Sequence, residues 1–331
     1  MSDRRLDVLA IGNAIVDVIA TSDDAFLDQH GMHKGAMQLI DEAQATGLYE
    51  AMGPARELSG GSAANTVAGL ASLGLNAGFI GQLADDQLGA IFAHDIRSLG
   101  VEFGTPMKND VGATARCLIL VTPDAQRTMN TFLGAAQMLA PDAVEPTAIA
   151  DARILYLEGY LWDPAAPRQA MYKAMDAARD ARTKVAFTLS DGFVVDRHRE
   201  DLARLLEERR IDILFANEGE IMQLAQASSF DAAVESVALL VETLVVTRGE
   251  HGAIACRAGE KVAVNAEPIE QLVDTTGAGD LFAAGFLAGE ARGLGLERSL
   301  KLGSIAAAEV IQHYGARPET NLGALAGDLL N

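Results

Sequence analysis

Short apolar runs alternate along most of the chain with longer segments whose apolar residues recur at helical spacing. Leu6 to Ile11, Ala77 to Ile80, Ile154 to Leu157, Val185 to Leu189, Ile211 to Phe215 and Leu244 to Thr247 read as strands. Ser62 to Leu73, Gln87 to Leu99, Ala166 to Ala181 and Arg199 to Glu208 read as the helices between them. Strands that are apolar on both faces and separated by amphipathic helices predict an α/β fold, with a doubly wound, mostly parallel sheet flanked by helices. The period fails twice, from about Val18 to Leu58 and from about Phe103 to Phe132, where no long crossover helix is predicted. In the second stretch Thr114 to Val121 and Arg127 to Phe132 flank the turn Thr122-Pro123-Asp124-Ala125, which predicts a hairpin. One large domain with an appendage is expected from this. No internal repeat, low-complexity tract or linker divides the 331 residues.

Charge narrows the partners. With 46 acidic and 26 basic residues the formal charge is −20, which argues against a nucleic acid or an anionic membrane surface as partner. No apolar run approaches the roughly 20 residues needed to span a bilayer. Cys117 and Cys256 are too few for a disulfide framework, and nothing before Leu6 resembles a secretory leader, so reduced thiols in a cytoplasm are expected. His30, His33, His94, His198, His251 and His313 lack ligand spacing, which disfavours a histidine metal site.

The richest chemistry lies in Asp274-Thr275-Thr276-Gly277-Ala278-Gly279-Asp280, a turn poor in side chains followed by the apolar helical run from Leu281. Amides of Gly277, Ala278 and Gly279 at a helix N-terminus would meet an anion with the positive end of the macrodipole. Asp280 in the first turn could accept a hydroxyl proton while those amides bind a transferring phosphoryl group. The plain alternative is a glycine turn before an acid-started helix. Other nucleotide sites are misspelled here: no lysine follows a glycine as a Walker A loop requires, and no Gly-x-Gly-x-x-Gly opens a helix after a strand. Gly-x-Ser-x-Gly and His-Glu-x-x-His are also missing.

The 274–280 stretch resembles the C-terminal signature of the ribokinase family, the phosphofructokinase-B (PfkB) type of carbohydrate and nucleoside kinases. Gly60-Gly61-Ser62-Ala63-Ala64-Asn65 resembles the family's di-glycine signature, and Ile11-Gly12-Asn13-Ala14-Ile15-Val16-Asp17 resembles the opening of adenosine kinases. Asn217-Glu218-Gly219-Glu220 matches a fourth element, and the four stand in family order between residues 11 and 280. Together they are far more specific than any one of them.

The resemblance implies a single kinase domain over residues 1–331, its small β-sheet lid inserted from about 14–58 and 104–132. It also implies transfer of the γ-phosphoryl group of ATP to a primary hydroxyl, the 5′ position of a purine nucleoside such as adenosine. Asp280 would be the base and Gly277, Ala278 and Gly279 the anion hole. Asn13, Asp17, Gly60, Gly61, Ser62 and Asn65 would hold the ribose, Asp17 accepting from its vicinal hydroxyls. Gln38 and Tyr160 would meet the base, with Trp162 either there or in the core. Arg127 would reach a phosphate or lie solvated on the hairpin. ATP would meet Thr247, Arg248, Gly249, Thr275 and the helix near Ala306 to Tyr314. Asn217 and Glu220 would orient Mg²⁺ through water, and Asp274 and Thr276, with the Gly315-Ala316-Arg317 turn, could hold K⁺. A monomer or a homodimer joined through the lid fits the same resemblance. A ribokinase-like or fructokinase-like sugar kinase, or a ligand-binding member without turnover, remains open.

Overall fold

The computed structural model describes residues 4–124 and 126–330. In chain order the first half holds β1 (Leu6–Ile11), β2 (Ile15–Thr21), α1 (Asp24–Gln29), β3 (Met37–Leu39), α2 (Glu42–Ala51), β4 (Ala55–Gly60), α3 (Ser62–Ser72), β5 (Ala77–Ile80), α4 (Gln87–Ser98), β6 (Glu102–Phe103), β7 (Ala115–Val121) and β8 (Arg127–Phe132). Then come α5 (Pro146–Ala150), β9 (Ala152–Glu158), α6 (Ala165–Ala181), β10 (Lys184–Thr188), α7 (Gly192–Glu207), β11 (Ile213–Asn217), α8 (Glu218–Ala225), α9 (Phe230–Ala238), β12 (Thr243–Thr247), β13 (Ala253–Arg257), β14 (Glu260–Val264), α10 (Ala278–Arg292), α11 (Leu296–Val310) and α12 (Leu322–Ala326).

Nine strands form the main sheet in the order β14-β13-β12-β11-β10-β9-β1-β5-β6. Its pairs are parallel from β12 to β6, while β12, β13 and β14 are joined antiparallel. Strand alternation divides the core. Leu9 and Ile11 of β1 point into the layer beneath α6 and α7, whereas Val8 and Ala10 point into the layer beneath α3, α10 and α11. On that second side α10 crosses α11 so closely that a side chain at Gly285 would collide with the Leu302 carbonyl.

The second sheet has five strands in the order β3-β8-β7-β2-β4, contributed by residues 15–60 and 115–132. The expected hairpin is present, with β7 and β8 antiparallel and Leu118 opposite Asn130. Its turn is held by Thr122, whose amide donates to the Gln126 carbonyl at 3.0 Å, and Ala125 lies outside the described residues. Between β1 and β2 only Gly12, Asn13 and Ala14 carry the chain from one sheet to the other.

Three expectations need correction. The first irregular stretch contains α2, a ten-residue helix closed by a reciprocal cap between Asp41 and Gln44. Only Ala45 and Leu48 of it are buried, so its apolar period is too faint to read. And α7 starts at Gly192, not near Arg199: Asp191 accepts from the Val194 amide at 2.7 Å as its cap. A kink at His198 and the polar run after Val195 hid the first two turns. The last long helix stops at Val310, so Tyr314 lies in the turn beyond it. Among the described residues no helix is long and apolar enough to cross a membrane.

Candidate active site

A cavity of about 690 Å³ opens between the two sheets. Glu158, Thr188, Asn217 and Thr247, the C-terminal residues of β9 to β12, all border it. Ligands of open α/β sheets bind in this crevice, because loops after the strands diverge there. The second sheet roofs the cavity with one face. Asp17, Cys117, Thr131 and Leu39 lie in register across β2, β7, β8 and β3, with Ile119, Met129 and Met37 in the adjoining row. The intervening residues Val16, Val18, Leu118 and Leu120 are buried on the opposite face.

Asp280 sits in the first turn of α10, whose cap Gly277 has φ +80°, a left-handed conformation that favours glycine. A Cβ there would stand 2.6 Å from Ala316 Cβ, so both backbone and packing require glycine. The Asp280 carboxylate accepts from Ser62 Oγ at 2.6 Å and from Asn65 Nδ2 at 2.9 Å. Burial raises its pKa above the ordinary aspartate value, and those two bonds and the Arg317 charge offset part of the rise. Ser62 and Asn65, expected at the sugar, thus hold the Asp280 carboxylate in place. One anion-hole assignment changes: the Ala278 amide donates to the Thr275 carbonyl at 3.2 Å. Gly277 and Gly279 border the cavity, Ala278 and Thr275 do not.

The strand junctions supply the acceptor half. Gly61, at φ +96°, lies so near the Asn13 carbonyl that a side chain there would overlap it, and Gly60 leaves equally close room for the Asp17 carboxyl. Asp17 borders the cavity, and its pKa is pushed up to about 6 by burial against the opposing pull of Arg317 and Arg127. Arg317 is anchored by the Ser59 carbonyl, 2.7 Å from Nη2, so it fixes the strand that leads into the two glycines. Glu158, to which the sequence reading gave no role, joins both junctions: it accepts from Asn13 Nδ2 at 2.6 Å and from the Ala63 amide at 2.8 Å. Burial raises its carboxyl to about 7.

At the other end Asn217 and Glu220 form a reciprocal cap on α8: the Asn217 side chain accepts from the Glu220 amide at 2.8 Å, and Glu220 accepts from the Asn217 amide at 2.9 Å. Both also border the cavity, and burial lifts Glu220 to about 7. Among the described residues no group of three or more His, Cys, Asp or Glu is arranged to hold a metal ion. A metal here would therefore take most of its ligands from phosphate oxygens and water, which suits Mg²⁺. Thr247 borders the cavity; Arg248 and Gly249 do not. The Arg248 guanidinium lies 4.3 Å from the Phe230 ring centre and pairs with Glu218 at 3.3 Å.

Two substrate expectations are corrected by geometry. Gln38 lies between Met37 and Leu39, so strand alternation turns it from the cavity, and it donates to Asn130 Oδ1 at 2.7 Å. Arg127 is buried against Asp274, 2.7 Å from Oδ2, and under the Tyr314 ring at 5.3 Å. The other Asp274 oxygen accepts from the Thr276 hydroxyl at 2.7 Å, so K⁺ held there would have to displace these donors. Tyr160 borders the cavity, while Trp162 is buried in the core. Sequence reading missed the mouth: Asp163, Ser190, Asp191, Phe193 and Arg197. Their signal was position alone, since most of them follow the end of β10 as Asn217 ends β11.

A raised, positioned carboxylate beside free helix-terminal amides, in a crevice that two sheets can shield from water, defines a phosphotransferase with a hydroxyl acceptor. Residues 47–321 match the pfkB family carbohydrate kinases. The chain belongs to that family, whose members phosphorylate hydroxyl groups of nucleosides or sugars. It is 48% identical to a solved adenosine kinase from Sinorhizobium meliloti, with a TM-score of 0.89 and coverage of 97% of this chain and 98% of that one. It is 47% identical to a protein from Rhizobium etli CFN 42 described as a probable sugar kinase, with a TM-score of 0.90 and 98% of each chain covered. A 5-dehydro-2-deoxygluconokinase from Shouchella clausii is 27% identical over 95% of this chain and 92% of its own.

Proposed function

We propose that the protein transfers the γ-phosphoryl group of ATP to the 5′-hydroxyl of a purine nucleoside, adenosine first among them. The observation that carries this choice is the apolar roof over the acceptor half, where Ile15, Met37, Leu39, Ile119, Met129 and Leu133 face the cavity. A flat base gains from such a surface, whereas a free sugar would lose water from hydroxyls that find no partner on it. The similarity to an adenosine kinase supports the same reading.

In this reading Asp17, Asn13 and Asn65 hold the ribose and aim its 5′-hydroxyl at Asp280, which takes the proton. The amides of Gly277 and Gly279 and the α10 dipole stabilise the charge on the transferring group. Asn217 and Glu220 would orient Mg²⁺ through water, and the ion would neutralise phosphate charge. ATP would extend toward Thr247. Asp274 is already satisfied by Arg127, so K⁺ has no step here. The lid would be the segments 14–58 and 104–132 of one kinase domain, excluding water during transfer.

The test is ADP formation by purified protein with Mg²⁺ and ATP, against a panel of purine nucleosides, ribose, fructose and 5-dehydro-2-deoxygluconate. Turnover on a purine nucleoside is expected. Turnover confined to a free sugar or sugar acid would overturn the acceptor and leave the chemistry standing.

A further inference from the structure

A second cavity, about 290 Å³, lies at the opposite edge of the main sheet. It is formed where α6 ends and β10 begins, and where α7 ends before β11. Its border is cationic in a chain of net charge −20: Arg179, Arg182, Lys184, Arg209 and Arg210 face it against one carboxylate, Asp212. Lys184 and Arg210 are neutralised by neighbours, at 2.7 Å from Glu242 and 2.9 Å from Asp176. Arg179, Arg182 and Arg209 have side chains that pair with nothing among the described residues. Asp212 is committed to the Val185 amide at 2.7 Å.

Two of the unpaired arginines occupy positions where arginine is costly. Arg182 ends α6 at φ 56° and Arg209 follows α7 at φ 54°, both left-handed. The chain closes each helix by the same pattern, with the Thr183 amide on the Ala178 carbonyl at 2.8 Å and the Arg210 amide on the Leu205 carbonyl at 2.9 Å. That closure takes glycine most readily, since a Cβ is strained there. A cation near a helix C-terminus gains something from the dipole, which accounts for Arg179 in the last turn of α6. It does not account for two arginines in place of glycine that open onto one cavity.

We propose that this cavity is an accessory anion site that takes a phosphate-bearing small molecule, with Arg179, Arg182 and Arg209 as its ligands. Guanidinium groups match phosphate oxygens in fork geometry, and three free ones around a concavity supply the charge that the rest of the surface lacks. Thr188 and Asn217, at the far ends of β10 and β11, border the reaction cavity, so this site is separate from it.

The test is calorimetric titration of the full chain with inorganic pyrophosphate, wild type against Arg182→Gly/Arg209→Gly. Pyrophosphate also fits the reaction cavity, so the number of sites is the readout. Two are expected in the wild type. In the double variant one should weaken by about 100-fold or vanish, as loss of two charge-assisted contacts implies. Glycine suits both left-handed positions, so the melting temperature should hold or rise. Arg179→Ser, at an exposed side chain, is the second variant should the first fail to fold, and it should weaken the same site. Equal site number and affinity in wild type and variants would overturn the proposal.

Discussion

The two halves of the reaction cavity are made of different materials. Where phosphate would sit in the proposed reaction, the candidate groups are backbone amides at Gly277 and Gly279, fixed by a glycine turn and a helix axis. On the proposed acceptor side the candidate groups are side chains, Asn13, Asp17, Asn65 and Glu158, brought to one cavity by a strand junction, a strand, a helix and a strand end, with Asn13 donating to Glu158 and Asn65 to Asp280. A phosphate is the same in every donor, so a fixed backbone cradle serves it, while acceptors differ and are met by replaceable atoms. The difference implies that substitutions in the first half strike turnover, and that those in the second strike recognition.

Asp280 stands on the border, and its loss gives the largest effect. Asp280→Asn should keep the fold and lose on the order of 100-fold or more in kcat, read under saturating ATP and acceptor. A folded variant with near-normal turnover would remove Asp280 from the role of base. Next comes Asp17→Asn, expected to raise the acceptor KM by roughly tenfold to 100-fold with kcat and the ATP KM little changed, as loss of a charged hydrogen-bond acceptor implies. Because the Asp17 carboxyl titrates at about 6, the wild-type acceptor KM should climb as pH falls through that value, and the variant should show no such climb. An equal effect on the ATP KM would erase the division between the halves.

The smallest effect concerns stability. Glu158 and Glu220, one in each half, are both raised from 4.5 to about 7 by burial. A raised folded-state pKa means that the protonated form favours folding: that contribution is full below about 4.5 and is lost as pH rises through about 7. The melting temperature without ligands should therefore fall as pH rises from about 4.5 to about 7, and Glu158→Gln and Glu220→Gln should each flatten part of the slope. A slope unchanged in both variants would place the titrating groups elsewhere.

Much of the main sheet could be read from the chain, because parallel strands buried on both faces leave unbroken apolar runs such as Leu6 to Ile11. The turn into α10 was equally open, since Asp274 to Asp280 is one contiguous stretch before an apolar run. The acceptor half was not, because its contacts join residues far apart: Glu158 meets Asn13 across 145 positions. Gln38 was misplaced for a local reason, as a three-residue strand carries too few letters for its alternation to fix which face turns inward. Arg127 was misread because its partner, Asp274, belongs to the other end of the chain.

The roof sheet spends alternate residues on different tasks. Residues 15, 17, 37, 39, 117, 119, 129 and 131 face the cavity, while 16, 18, 118, 120 and 128 lie in the hydrophobic interior or beside it. Recognition can therefore drift through one set of positions while the other keeps the sheet folded. A lineage could exchange one acceptor for another in a few steps without passing through an unstable ancestor. Chains nearly half identical to this one can then carry the names of an adenosine kinase and of a probable sugar kinase on the same frame.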